Sequence, residues 1–486
     1  MTGPTSTDQP TLVRLPEGPS VPSVDLAVVG AGASATFLLA AIRRRWVGDL
    51  PRAALIEKGR CPGPGVAYRT DDPRHRMNVR VCQLTAHPDE PDHFLTWARA
   101  VDPAITADDY APRGLYGRYL TAVLDEATQP PARVQRLQGE VTSVLQGPPW
   151  PAPREPRGVD ADGVLLVGRE GPIVRADHVV LAVGVPPTGP RRFRVAPDAP
   201  AGDAYVDDPW RPEALAGLRG RDHVVVVGTG LTMVDVALTL LGRHGVGEVT
   251  AVSTTGRLPA AHDAVRATAT RPIGRPAVAT ARGVLAWLRE VIDAEPAGWA
   301  AAVDGVRWSC PDIWASLPLG EQARLLRLGA SRWSRVRHRL PPAVAEEVAA
   351  ARRAGRLRLV AGRVEEVGSG LNGPEVRVRR PSAPDLALAA DAVVNCTGPP
   401  GVWATSDPLV RDLVDTGTVG VGPHGLGLAV AEDGAVLDPS GHPLPQLSVL
   451  GALRRGTEFE ATAVPELRLQ ADHLVRRLAR SVARHR

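Results

Sequence analysis

Residues 24–45 read VDLAVVGAGASATFLLAAIRRR. An apolar stretch typical of a buried strand comes first, a glycine turn follows, and an Ala- and Leu-rich stretch typical of a helix comes last. A second apolar stretch, AALIEKG at residues 53–59, follows along the chain. The order of strand, glycine turn, helix and strand predicts a βαβ unit of the kind that binds a dinucleotide.

The turn in this first unit fits the spacing G-x-G-x-x-G/A. Gly30 permits the tight turn, Gly32 lets a pyrophosphate approach the backbone, and Ala35 lets the helix pack closely on the sheet. The N-terminus of the helix offers N–H groups and a partial positive charge to phosphates. Glu57 ends the second strand, where a carboxylate accepts hydrogen bonds from ribose hydroxyls and repels a 2′-phosphate. The unit therefore suits FAD or NAD. Its predicted cofactor contacts, which we assign to FAD, are Gly30, Gly32, Ser34, Ala35, Glu57 and Lys58.

The same order recurs at residues 222–245, DHVVVVGTGLTMVDVALTLLGRHG, and the next strand follows at 248–254. Met233 stands where a third small residue is expected, so this helix must sit differently on its sheet. The second strand ends without an acid. Hydroxyl side chains and Arg257 follow it, and both suit a 2′-phosphate. The pattern indicates NADPH; the alternative is that Arg257 is merely a loop arginine. The predicted NADPH contacts are Gly228, Gly230, Leu231, Thr232, Ser253, Thr254 and Arg257.

Each unit is followed by a hairpin-like stretch and then by an apolar strand that ends in a small-residue turn. These strands read DHVVLAVGVPP at 177–187 and DAVVNCTGPP at 391–400. The repeated order predicts an α/β fold with two Rossmann-like dinucleotide-binding domains, the second inserted into the first. The expected divisions are a mobile arm at 1–20, an FAD-binding domain at 21–195 and 360–486, and an NADPH-binding domain at 196–359 with a helical segment at about 281–354.

Composition argues against several other classes of protein. A chain of 486 residues with 44% hydrophobic and 23% charged side chains has an ordinary globular composition. The net charge of +4 comes from arginines scattered among acids, which argues against nucleic-acid binding. No apolar run is long enough to cross a bilayer or to serve as a signal core, so a cytoplasmic protein is expected. The four cysteines lie far apart, which argues against a structural zinc site, a disulfide framework or a redox dithiol.

Five stretches of the chain carry a family resemblance. They are CPGPGVAYRTDDPRHRMNV (61–79), HPDEPDHFLTWARA (87–100), VVVVGTGLTMVD (224–235), SRWSRVRHRLPP (331–342) and LGALRRGTEFEATAVPELRLQA (450–471). Together they resemble bacterial FAD–NAD(P)-binding flavoproteins related to flavin-dependent N-hydroxylating monooxygenases, the group of nitrosuccinate synthase and urate hydroxylase-type enzymes. The similarity runs from about residue 21 to the end. It implies further FAD contacts at Gly65, Tyr68, Asn78 and Val141, and the turn after the strand QLSVL adds Gly451 and Leu453.

An FAD site and an NADPH site in a chain without cysteine pairs indicate a flavoprotein whose FAD is reduced by NADPH. The resemblance implies a monooxygenase that oxygenates the nitrogen of a small amine or amino acid through a C4a-hydroperoxyflavin. Molecular oxygen and a small-molecule substrate are the expected partners, and the oligomeric state stays open. Three alternatives are a hydroxylase of a small heteroaromatic compound, an NADPH-dependent flavin reductase or oxidase that releases peroxide, and a non-catalytic FAD-binding protein.

No side chain is assigned as a catalytic acid, base or nucleophile, because in this chemistry the protein chiefly positions the substrate and excludes water. Candidates for a wall that faces the substrate lie in the helical segment: Arg337, His338, Arg339, Trp308 and Trp314. The alternative there is a basic helical face with buried tryptophans. His75 and His87 are interpreted as loop residues that form hydrogen bonds rather than as acid–base groups.

Overall fold

The computed structural model describes most of the chain. The described residues are 21–145, 163–184, 193–199, 202–263, 273–277, 279–381, 383–398, 401–402 and 405–485. The predicted mobile arm at 1–20 lies outside them. Among the described helices, none has both the length and the hydrophobicity that a membrane-spanning segment needs.

Strands and helices alternate along much of the chain. The strands are β1 (Ser23–Val29), β2 (Arg52–Glu57), β3 (Arg133–Gln138), β4 (Val141–Leu145), β5 (Val164–Gly168), β6 (Gly171–Leu181), β7 (Arg194–Val195), β8 (Tyr205–Val206), β9 (His223–Val227), β10 (Glu248–Ser253), β11 (Leu357–Ala361), β12 (Arg363–Ser369), β13 (Pro374–Arg379), β14 (Leu386–Ala389), β15 (Ala392–Asn395), β16 (Ala435–Leu437) and β17 (Pro443–Val449). The helices are α1 (Ala33–Arg45), α2 (Gly65–Tyr68), α3 (His93–Val101), α4 (Arg113–Thr128), α5 (Leu231–Leu238), α6 (Ala281–Ala294), α7 (Trp299–Val306), α8 (Cys310–Ser316), α9 (Leu319–Arg337), α10 (Pro342–Arg353), α11 (Pro408–Asp415) and α12 (Val464–His485).

The first lobe is built on a sheet with the strand order β16-β17-β6-β1-β2-β3, which the β4-β5 hairpin joins through β6. Strand β1 pairs in parallel with both β2 and β6. Helices α1, α4 and α12 cover one face and bury Phe37, Tyr116 and Leu474 there, while α11 covers the other face. Burial on both faces explains why β1 and β6 read as apolar runs rather than as alternating patterns.

The second lobe is built on a sheet with the order β11-β10-β9-β15-β8, in which all neighbours are parallel. Helices α5 and α10 cover one face through Val234 and Val344. A smaller sheet, β14-β13-β12-β7, covers the other face, where Val376 packs with Val225 of β9. The fold is thus α/β with two Rossmann-like lobes, as the repeated sequence pattern predicts.

Strand β15 corrects one predicted domain boundary. Val393 and Val394 pair with β9 of the second lobe, and β11 lies in the same sheet. The boundary at residue 360 is therefore wrong, because the second lobe extends to about residue 398 before the chain returns to the first sheet. Strand β7 also belongs to the second lobe, since it pairs with β12. A buried parallel strand is apolar in either sheet, so its composition does not show which sheet it joins.

Helices α6 to α10 occupy the predicted helical segment at 281–354. Helix α10 differs from the others because Val344 and Val348 pack into the core of the second lobe. It supplies the crossover that the parallel strands β10 and β11 require. Helices α6 to α9 form an additional layer that has a small core of its own, in which Val284, Ile313 and Leu317 are buried.

A buried polar seam joins the two lobes. The Nε2 atom of His75, in the first lobe, lies 2.9 Å from the carbonyl oxygen of Asp235 and 2.9 Å from Oγ1 of Thr239, both in the second lobe. Burial alone would raise the pKa of Asp72 beside them, but hydrogen bonds from Arg74 and Thr239 hold that pKa at about 2. His75 is thus a hydrogen-bonding loop residue, as predicted, and it ties its loop in the first lobe to helix α5 of the second.

Candidate functional site

The first glycine turn connects β1 to α1. Gly30 has a φ of +93°, and a Cβ atom there would lie 2.6 Å from the carbonyl oxygen of Ala182. Only glycine fits both the dihedral angle and the space. Gly32 precedes α1, whose N-terminus is not capped by any side chain in the described part of the chain. Ala35 is completely buried, so the helix packs closely on the sheet. The first-turn N–H groups are therefore arranged for an anionic group such as a pyrophosphate.

Glu57 lies beside this turn at the end of β2. Its Oε2 accepts a hydrogen bond of 2.7 Å from the backbone N–H of Ala31, and its Oε1 accepts one of 2.8 Å from Gly59. Each oxygen keeps a further lone pair, so the oriented carboxylate is able to accept hydrogen bonds from ribose hydroxyls. Lys58, the next predicted contact, points its ammonium group toward Glu140 and Asp407, at 3.8 and 3.7 Å.

The loop after β2 returns to the same turn. The N–H of Gly63 donates to the carbonyl of Ala31 at 2.6 Å. A Cβ atom on Gly65 would lie 3.3 Å from the Cα of Gly32, so the two glycine backbones face each other closely. Tyr68 packs edge-on against Tyr116, with 5.1 Å between the ring centroids. The structure thus brings Gly65 to the predicted phosphate site, while Tyr68 has core contacts.

The C-terminal part of the chain also reaches this turn. Gly451 has a φ of +89°, and a Cβ atom there would lie 2.6 Å from Oγ of Ser34. Its N–H donates to Oε1 of Gln470 at 2.9 Å, which ties the turn to α12. The sequence separates Gly451 and Ser34 by more than 400 residues, and the parallel pairing of β17 with β6 brings them together. Leu453, in the same turn, is buried.

Two other predicted FAD contacts lie elsewhere in the first lobe. Val141 is buried at the start of β4, which follows β3 at the edge beyond Glu57. Asn78 lies near the lobe junction, where its carbonyl oxygen is 2.9 Å from Nε2 of His262. The assignments of Val141 to adenine and of Asn78 to the flavin end stay predictions.

The second glycine turn repeats the first one. Gly228 has a φ of +119°, and a Cβ atom there would lie 2.8 Å from the carbonyl carbon of Cys396, as Gly30 faces Ala182. Gly230 precedes α5, whose N-terminus likewise has no side-chain cap from any described residue. Met233 is completely buried in the core of the second lobe, which accounts for a large residue at this position. The predicted contacts Leu231 and Thr232 form the first turn of α5.

The residues predicted to hold a 2′-phosphate lie beside this turn at the end of β10. The hydroxyl of Thr229 is 2.8 Å from Oγ of Ser253 and 2.8 Å from the carbonyl oxygen of Arg257. The N–H of Gly256 donates to Oγ of Ser253 at 3.1 Å. The side chains of Thr254 and Arg257 are exposed. A hydroxyl group and a guanidinium group therefore stand at the edge of the turn, in reach of solvent and of an anionic group.

The predicted substrate wall is divided between the surface and the interior. Trp308 is 57% exposed, with the Arg307 guanidinium 5.0 Å from its ring centroid. Trp314 is 2% exposed, and its Nε1 donates to the carbonyl of Gly456 at 2.9 Å. Trp308 therefore does not share a buried surface with Trp314, and the alternative of buried tryptophans fits Trp314 alone.

The three basic wall candidates at the end of α9 have different surroundings. Arg339 pairs with Asp304, and Arg337 is buried near Glu460. Burial, followed by the charge of Arg337, lowers the pKa of His338 to about 4, so its imidazole is neutral at physiological pH. Burial likewise lowers the pKa of His87 to about 4. Sequence reasoning missed Glu460 and the other groups that contact α9, because nothing in local spacing links them to it.

Comparison with protein families gives a match, which covers the first glycine turn. Residues 27–186 match the family model described as FAD-NAD(P)-binding. The matched residues lie in the first lobe and include the first glycine turn, Glu57 and most of the strands β1 to β6. Comparison with curated protein sequences gives no match.

Solved structures resemble nearly the whole chain. The ornithine N-hydroxylase of Kutzneria sp. 744, solved with reduced FAD, NADP+ and L-ornithine, is 16% identical, with a TM-score of 0.64 over 94% of this chain and 99% of that one. The L-lysine 6-monooxygenase of Pseudomonas syringae is 16% identical, with a TM-score of 0.59 over 94% and 99%. The FAD-bound cadaverine monooxygenase of Erwinia amylovora is 12% identical, with a TM-score of 0.60 over 94% of each chain. The chain shares the fold of these two-domain flavoproteins.

Proposed function

We propose that the protein is an FAD-dependent, NADPH-consuming monooxygenase that oxygenates the nitrogen of a small amine or amino acid. The observation that carries the proposal is the presence of two glycine turns with the same geometry but different surroundings. The first has Glu57 at the end of its second strand, which suits an unphosphorylated ribose. The second has Ser253 and Arg257 there, which suit a 2′-phosphate. One chain is thus equipped for FAD and for NADPH.

Similarity of fold supports the choice of a nitrogen atom as the acceptor of oxygen. An ornithine N-hydroxylase, a lysine monooxygenase and a cadaverine monooxygenase share the arrangement of this chain over 94% of its length. All three act on amines or amino acids, as their names state. We carry this substrate class over to the present chain, and we place the reaction in the cytoplasm.

The described residues suit this chemistry by binding and shielding rather than by acid–base catalysis. FAD, when bound, passes electrons from NADPH to molecular oxygen. The turns at Gly32 and Gly230 bind the two pyrophosphates, and the Gly451 turn closes the FAD site from the C-terminal side. The buried hydrogen bond from Trp314 to the carbonyl of Gly456 joins the helical layer to the chain just after that turn.

Substrate-dependent coupling tests the proposal. In a panel of amines and amino acids, at least one compound is expected to accelerate NADPH oxidation with little release of peroxide. The rate should rise with pH until the amine is mostly deprotonated in the site, because a neutral amine lone pair is the nucleophile. Stoichiometric peroxide with every compound would instead support an oxidase, and failure of NADPH to bleach the flavin would support a non-catalytic FAD-binding protein.

Replacing Arg257 tests the choice of NADPH over NADH. A hydrogen bond to a charged group contributes roughly 1.5–3 kcal/mol, so Arg257→Ala should weaken the use of NADPH by about 10- to 100-fold and leave NADH nearly unchanged. The measurement is the rate of flavin reduction as a function of the concentration of each cofactor. Arg221→Ala is the control, because Arg221 is exposed at the opposite end of β9. Equal loss with both cofactors would remove Arg257 as the 2′-phosphate ligand.

A further inference from the structure

The guanidinium group of Arg337, in the helical layer, is buried without a full set of hydrogen bonds. Arg337, at the end of α9, is 5% exposed. It lies where the helical layer meets the chain between the Gly451 turn and α12. Trp314 binds the carbonyl of Gly456 in that junction, and Nε1 of Trp333 donates to Oε1 of Glu460 at 2.8 Å. Arg337 therefore stands between the helical layer and the segment that closes the candidate FAD site.

The unsatisfied atoms of Arg337 form one edge of its guanidinium group. Neither Nε nor Nη2 has a hydrogen-bond partner among the described residues. The N–H groups of these two atoms point in the same direction and match the two oxygens of a carboxylate. Leaving such donors unpaired away from water is unfavourable, so a partner for this edge is expected.

Other arginines in the chain show what this edge binds. Arg74 donates from Nε and Nη2 to the two oxygens of Asp72, at 2.9 and 2.7 Å. Arg307 donates from the same two atoms to the two oxygens of Glu466, and that pair is buried, as Arg337 is. In both cases a carboxylate occupies the edge of the guanidinium group that is unpaired in Arg337.

Glu460 forms an ion pair with Arg337 but does not provide the paired hydrogen bonds that this edge can make. Oε2 of Glu460 lies 3.4 Å from Nε, but the two atoms do not form a hydrogen bond. The other oxygen of Glu460 is engaged by Trp333. Burial, followed by the charge of Arg307, lowers the pKa of Arg337, and the charge of Glu460 opposes this change. Glu460 in turn offers a negative charge to an ammonium group close by.

We propose that Arg337 binds the carboxylate of the substrate, which is therefore an amino acid rather than a simple amine or diamine. The inference rests on the proposed function and narrows its substrate class. Gly451 lies against Ser34 in the candidate FAD site, and the chain runs from there through Gly456 to Glu460. A carboxylate held by Arg337 would thus lie against the segment that follows the candidate FAD turn, with Glu460 beside it.

The experiment compares each amino acid of a coupling panel with its carboxamide, using the FAD-loaded protein. Amino acids are expected to support coupled NADPH oxidation, and their carboxamides should do so at least 10-fold less well. Arg337→Gln should raise the KM for the amino acid by about 10- to 100-fold and abolish its advantage over the carboxamide. Arg337→Lys keeps the charge without the paired donors, so it should give an intermediate KM. Arg332→Gln, an exposed position on the same helix, is the matched control.

The outcomes separate this inference from the proposed function. If carboxamides or diamines couple as well as amino acids do, the monooxygenase proposal stands and the role of Arg337 is wrong. An unchanged preference for the amino acid in Arg337→Gln would also contradict the role of Arg337.

If no compound supports coupled NADPH oxidation, the proposed function fails, and thermal unfolding still tests whether Arg337 binds a carboxylate. Amino acids at millimolar concentration should then raise the melting temperature of the wild type, raise that of Arg337→Lys by less, and leave that of Arg337→Gln unchanged. Equal shifts in all three proteins would contradict carboxylate binding.

Discussion

A Gly32→Val variant is expected to fold normally and to be purified without FAD. The backbone at Gly32 has φ −87° and ψ −165°, an extended conformation that valine adopts readily. Among the described residues, a Cβ atom there would meet only the backbone of Gly65, with the Cα at 3.5 Å and the nitrogen at 4.0 Å, which are ordinary contacts. The valine methyl groups would, however, occupy the space in front of the uncapped N-terminus of α1. Loss of two hydrogen bonds to a charged pyrophosphate corresponds to roughly 3–6 kcal/mol, or about a 100- to 10,000-fold loss of FAD affinity.

The measurement is the ratio of FAD to protein from the visible spectrum, together with circular dichroism to establish folding. Gly30 is unsuitable for this test, because its φ of +93° and the carbonyl of Ala182 would make any side chain damage the fold itself. Gly320→Val is a suitable control, since Gly320 is exposed in the first turn of α9. Normal FAD content in the Gly32 variant would remove the first turn as the pyrophosphate site.

The two glycine turns were predictable because their requirements are local. A strand, a residue with positive φ and a helix start within about ten residues leave a clear pattern, and Gly30 and Gly228 meet nearly the same surroundings in the structure. The domain boundary was not predictable in this way. Strand β15 is an apolar run like β6, and only its pairing with β9 assigns it to the second lobe. Pairing between strands more than 150 residues apart is a tertiary property that composition does not encode.

The surroundings of the candidate substrate wall could not be predicted from local sequence either. Trp308 and Trp314 are six residues apart, which in an ideal helix is about 240° of rotation, so the two side chains face different directions. The structure leaves Trp308 exposed and buries Trp314. The contact of Trp333 with Glu460 spans 127 residues, and that of Arg307 with Glu466 spans 159. Sequence reasoning found Arg337, but its unpaired donors become visible only once these distant partners are in place.

A Gly230→Val variant is expected to retain FAD and to lose reduction by NADPH. Gly230 has φ −80° and ψ −171°, and no heavy atom of the described residues lies within 4 Å of a Cβ placed there, so the fold tolerates valine. The side chain would nevertheless stand in front of the uncapped N-terminus of α5, where we place the NADPH pyrophosphate. By the reasoning applied to Gly32, the rate of flavin reduction at a fixed low NADPH concentration should fall by about 100- to 10,000-fold. Anaerobic stopped-flow absorbance measures that rate, and dithionite should still bleach the flavin. The two variants thus form a matched pair. Gly32→Val is expected to lose the bound flavin, and Gly230→Val is expected to keep the flavin but lose its reduction by NADPH. Wild-type reduction of the Gly230 variant by NADPH would show that the second turn is not the NADPH site, whereas loss of FAD from it would show that the two turns do not act independently.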